Sequence, residues 1–210
     1  MPWPNRRHDL RAAAESYYSF SDIGWQRFNG LHGRMTGYKR AAEILFEAMI
    51  ASGSIADLDT VFFPYAMCWR HYVELELKGL LADLRALADL DPEDEHHHSL
   101  GKLWEGCREL LAARFPGDTG ADFEAAGRVI RQLAAMDPDG QGFRYDTRRG
   151  GKPSLPDVDQ VNLPKFQEAM VAVAAYIDGI TSQVDYTLDS KREMDAYYAA
   201  EFGQSWSDFA

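Results

Sequence analysis

Four side chains with chemistry to offer stand within one short run, RHYVELELKGLL: Arg70, His71, Glu74 and Lys78. At about 100° per residue, the helix this run belongs to carries an apolar face made by Val73, Leu77, Leu80, Leu81, Leu84 and Leu87. With Trp69 as origin that face covers roughly 0–120°, and Arg70 falls inside it at about 100°. Glu74 stands on its edge at about 140°, while His71 and Lys78 lie near 180–200° on the polar side. A guanidinium aimed at a core needs a partner, because breaking a buried ion pair costs about 3–5 kcal/mol. Glu74, one turn on, is the obvious partner. Two readings follow: a structural pair that pins neighbouring helices, or an inward-facing anion site.

Three further groups of residues invite the same question. The segment HSLGKLW puts His98 and Ser99 at a helix start, where either can cap. The histidines 96–98 share a loop with Asp91, Glu93, Asp94 and Glu95, without defined metal-ligand spacing, so the loop reads as solvated and acidic. The stretch FRYDTRRGGK gathers Arg144, Tyr145, Arg148 and Arg149 beside glycines. Such a set can bind phosphate or clamp acidic helices. Finally, Arg27 and His32 stand with four residues between them in RFNGLH. A histidine there can act as general acid or base on a ribose 2′-OH, and an arginine can steady the phosphorane charge. The pair lies in a Gly-rich stretch, where a chance match is the simpler account. Glu43, Glu47, His71 and Glu74 raise a di-metal bundle, but that signature needs Glu-x-x-His on two helices, which this chain does not offer. No metal and no cofactor is expected.

Helices must position these groups, since strand patterns are nearly absent. A short helix is expected over Asp9–Tyr18, then loop or broken helix through the glycines of 19–37. A first strong helix is expected from Tyr38 to Ala51, with Ala41, Ile44, Leu45, Ala48 and Met49 inward and Gly53 ending it. The central helix should carry Pro64 in its first turn and reach about Leu90. Further helices are expected over 99–115 and 123–136. A long irregular loop should span 137–163, and loops of that length are often functional. A last helix from Pro164 presents Phe166, Met170, Val173, Ile177 and Ile180, with a bend or break near Gly179 or Ser190. The fold class is therefore all-α.

Charge narrows the partners. The chain of 210 residues has a formal net charge of −11. Residues 1–40 hold seven bases and three acids, a net of +4, against −15 for the rest. The basic segment reads as an arm that docks on the acidic body or reaches a partner. Bulk duplex-DNA binding is excluded by the acidic field, and wholesale disorder by the 46% of hydrophobic residues. The longest apolar run, 61–69, is far short of a membrane span, and no secretory h-region opens the chain. Cys68 and Cys107 form no paired motif and read as buried thiols of a cytoplasmic protein.

Taken in order, RHYVELELKGLL, HSLGKLW and FRYDTRRGGK, followed by a long terminal helix, resemble the HEPN-like superfamily, the higher-eukaryote-and-prokaryote nucleotide-binding helical domains. The resemblance covers about residues 38–185 and implies an all-α bundle that pairs into dimers. It places Arg70, His71, Glu74, Lys78, His98, Arg144 and Tyr145 at a ligand site, with Asp146 where proline is common. It also implies an antiviral-defence or toxin–antitoxin setting. The family's ribonucleases carry Arg-x4–6-His in a late helix, which this chain lacks, since its last histidine is His98. The expectation is a non-nuclease, HEPN-like protein that binds a nucleotide, RNA or a protein partner. A metal-independent endoribonuclease using Arg27 and His32, and a dimeric scaffold, are the alternatives. The expected organisation is a basic arm (1–37), a helical domain (38–190) and an aromatic tail (191–210). Tyr197, Tyr198, Phe202, Trp206 and Phe209 offer that tail a protein-binding surface.

Overall fold

A computed structural model describes residue 21 and residues 26–92, 97–148, 150–156 and 158–203, with backbone alone at 26–29 and 202–203. Among them stand five α-helices and no strand: α1 (Gln26–Ser52), α2 (Ile55–Leu87), α3 (Leu100–Arg114), α4 (Ala121–Met136) and α5 (Leu163–Gly203). The loop before α5 holds one isolated bridge, Thr147 to Pro153. The helix expected over 9–18, Glu93, Asp94, Glu95 and His96 of the acidic loop, Arg149, Trp206 and Phe209 lie outside the described residues.

The apolar face of α2 explains its central place. Val73, Leu77, Leu80, Leu81, Leu84 and Leu87 are all buried, and α2 packs on α1, α3 and α5 while α4 closes the gap between α3 and α5. Tyr65 Oη and Trp69 Nε1 both donate to Gln167 Oε1, at 2.9 and 3.1 Å, tying α2 to α5. Met170, Val173, Ile177 and Ile180 of α5 are buried as their spacing predicts, and Phe166 packs against the same core. Trp104 of α3 is accommodated by a missing side chain. A Cβ on Gly127 of α4 would stand 2.7 Å from its Nε1.

Element starts differ from the sequence expectation. The Ser54 hydroxyl accepts from Asp57 N–H, so α2 begins at Ile55 and Pro64 lies inside the helix rather than in its first turn. The Thr60 carbonyl, deprived of the N–H that Pro64 lacks, is on an exposed stretch where water can serve it. Helix α1 begins well before Tyr38, with a break confined to Gly30, whose φ of 52° and ψ of −127° suit glycine. Its buried face is also turned. Ala42 and Met49 are buried, with Tyr38, Leu45 and Phe46 packed beside them, whereas Ile44 is 48% exposed. Helix α5 does not break. Ser182, Thr187 and Ser190 bond back to the carbonyls of Asp178, Gln183 and Tyr186 and stay helical. At 41 residues it runs about 60 Å, and its last turns leave Met194 and Tyr197 more than half exposed.

Ser99, not His98, caps α3, accepting from Lys102 N–H. Both cysteines are buried and in no disulfide. Among the described residues no helix is long and apolar enough to cross a membrane.

Candidate functional site

Three separated segments meet at the guanidinium of Arg70, which is 2% exposed. Its Nη1 donates to Glu74 Oε2 at 2.8 Å, one turn along α2. Its Nη2 donates to the His98 carbonyl at 2.6 Å, just ahead of α3. Its Nε donates to the Asp137 carbonyl at 3.1 Å and lies 3.0 Å from Asp137 Oδ2, where α4 gives way to the loop. Asp137, 1% exposed, also accepts Gly142 N–H at 2.7 Å through Oδ1. The fourth side of the guanidinium is covered by Gly140, where a Cβ would come within 3.0 Å of Nη1. Arg70 is thus enclosed by protein on every side, which makes it the floor of the site.

Glu74 joins this floor to the surface. Its Oε1 accepts from His98 Nδ1 at 2.7 Å and from Lys78 Nζ at 3.1 Å. Burial pushes its pKa up, but the hydrogen bonds from His98, Arg70 and Lys78 win and hold it at about 2. An ionised Glu74 can only accept, so Nδ1 of His98 carries the proton. The His98 ring is 63% exposed and the Lys78 side chain 23%. His71, half-buried, meets the Tyr38 ring edge-on at 4.4 Å, and its Nδ1 is buried without a partner. Burial lowers the His71 pKa; Glu74 opposes this, while Arg144, Arg70 and His98 lower it further. The fields of all four groups therefore converge on one imidazole, which stays neutral at pH 7.

The loop bearing Arg144 is anchored. Phe143, 4% exposed, meets Phe62 of α2 at 6.0 Å and 88°. Arg144 and Tyr145 are exposed beside that anchor, their N–H groups donating to Gln141 O. Arg148 takes no place in the cluster; it donates to Ser154 O at 3.0 Å and holds its own loop shut. His32 stands elsewhere, in a cleft with Tyr72, Glu76 and Asp178, while Arg27 has no described side chain. Asp137 and Gly140 carried no individual signal; the DPDG run after α4 reads only as a turn. Among the described residues, no three His, Cys, Asp or Glu side chains are grouped to hold a metal ion.

The floor sets an acid limit. Glu74 sits well below its ordinary 4.5, so its stabilising contribution is complete above that pH and fades as pH falls toward about 2. The lowered His71 acts in the same direction below its ordinary 6.5. Glu76 and Asp83, both raised chiefly by burial, oppose it, since their protonation favours the fold. A plot of Tm against pH should show wild type losing stability below about 4.5. Glu74→Gln should start lower and fall less steeply.

Comparison with protein-family models, curated proteins and solved structures finds no match to this chain.

Proposed function

We propose that the chain is a HEPN-like, non-nuclease binding module that takes the phosphate of a nucleotide or RNA on the rim formed by His71, Lys78, His98, Arg144 and Tyr145. One observation carries the reading: three motifs far apart in sequence, on α2, at the start of α3 and in the loop, converge around one buried ion pair. Arg70 spends its charge on Glu74 and Asp137. Lys78 and Arg144 then bring two further cations to the rim of an otherwise acidic protein, with His98 Nε2 remaining as a polar ring atom. An arginine with an aromatic neighbour suits a phosphate and its attached base.

Fluorescence titration with a labelled nucleotide and with a short RNA tests this, with EDTA present. Arg144→Ala is expected to weaken binding about tenfold or more, the value of one hydrogen bond to a charged group, at unchanged Tm. Lys78→Ala should weaken it similarly, and raised salt should weaken it in wild type. Failure of folded wild type to bind either probe would overturn the reading, and loss of intact RNA would favour the metal-independent ribonuclease instead.

A further inference from the structure

On the side of α2 away from Arg70 and Glu74, the cleft that holds His32, of about 590 Å³, opens between α1, α2 and α5. Tyr72, 1% exposed, stands at its base and donates its single phenolic proton to Asp178 Oδ1 at 3.0 Å. Lys39 Nζ lies 2.8 Å from the other oxygen of Asp178 and 5.6 Å from the Tyr72 ring centroid. Asp178 therefore has both a donor and a counter-cation.

Glu76 has neither in the same measure. It is 8% exposed, lines the cleft, and lies close to the same phenol, whose proton is already committed. The nearest cation, Lys39, is bound to Asp178, and Arg40 is turned to Glu43 at 3.3 Å. Burial and then Asp178 push the Glu76 pKa up, and Lys39, His32 and a hydrogen bond with Tyr72 oppose this without cancelling it. Thr181 Oγ1, in the α5 wall of the cleft, is buried without a hydrogen-bond partner. Farther along α5, Asp185 adds another negative charge.

A buried carboxylate and an orphaned hydroxyl in the wall of one cavity call for a ligand that carries several N–H donors and a positive charge. A primary ammonium supplies three donors on one atom. The Lys39 ammonium, seated between Asp178 and the Tyr72 ring, displays the same chemistry within the protein. The cleft is of the size that encloses small molecules. We propose that this cleft is a binding site for a small primary alkylamine, whose ammonium is received by Glu76 and Thr181 beside the Tyr72 ring.

Calorimetric titration of the full chain with 1,4-diaminobutane tests this, using 1,4-butanediol as the uncharged control. Wild type should bind the diamine saturably and ignore the diol. Glu76→Gln should bind about tenfold or more weakly, as expected for one charge-assisted hydrogen bond. Arg144→Ala, in the loop before α5 and outside this cleft, should bind as wild type does, so failure here is separable from failure of the phosphate site. Should Glu76→Gln not fold, amide shift mapping on wild type replaces it. Diamine-induced shifts gathered at residues 39, 72, 76, 178 and 181 would support the site. No binding by wild type, equal binding by folded Glu76→Gln, binding of the diol, or shifts clustered elsewhere would each overturn it.

Discussion

Arg70→Met is expected to destabilise the protein by about 3–5 kcal/mol, a large share of the roughly 5–15 kcal/mol that holds a domain together. For a chain of this size that is a fall in Tm on the order of 10 °C. Methionine fills much of the same space, so lost packing is the smaller part. The larger part is what remains behind: Glu74 Oε2, both Asp137 acceptors and the His98 carbonyl, all facing a place with no donor. A second substitution separates the two contributions. In Arg70→Met/Glu74→Leu one stranded carboxylate is gone, and the double variant should be less unstable than the two single losses added together. Thermal and denaturant unfolding of the four proteins measure the coupling. Arg70→Met within about 1 kcal/mol of wild type would mean that water reaches and serves the stranded groups, contrary to a sealed floor.

The two sides of this pair were unequally legible in the sequence. Arg70 and Glu74 share a helix, so a wheel places both on the buried edge and pairs them by spacing alone. Asp137 is 67 residues away and reaches Arg70 only because α3 folds back along α2 and α4 packs in turn on α3. No local pattern encodes that return. The wheel also held more than its strongest reading. Glu76 falls at about 340° from Trp69, beside the buried face, and a Leu-Glu-Leu run gives its burial little prominence. Its companion Asp178 lies on another helix, which again only tertiary packing can supply. On helix α1 the expected face holds at Ala41, Leu45 and Met49 but fails at Ile44 and Ala48, for a different reason. Alanines dilute its pattern, so a face extended through Ile44 and Ala48 and one extended through Tyr38, Ala42 and Phe46 fit almost equally well. The larger aromatic surface of Tyr38 and Phe46 is what α2 covers. The continuous α5 shows that Gly and Ser mark breaks only weakly: serine can bond back into the helix, and Gly179 has open space around it.

Gly140→Ala is expected to cost about 2–4 kcal/mol, from two effects that can be measured apart. The residue has φ 76°, a left-handed conformation that costs an L side chain about 1–2 kcal/mol. The added Cβ would also stand 3.0 Å from Arg70 Nη1, 3.1 Å from Cζ and 3.3 Å from Nη2. An arginine head can ordinarily swing aside at small cost. This one is held by Glu74, His98 and Asp137, so moving it strains three hydrogen bonds at once. Gly150 supplies the control: its φ is 97° and a Cβ there meets nothing within 4 Å. Gly150→Ala should therefore show backbone strain alone, and the excess of Gly140→Ala over it, about 1 kcal/mol or more, isolates the collision with the guanidinium. The excess should vanish in an Arg70→Met background, because the head that the methyl strikes is no longer there. Equal unfolding energies for Gly140→Ala and Gly150→Ala in wild type would mean that Arg70 is free to yield, and the case for a fixed floor beneath Lys78, His98 and Arg144 would fall with it.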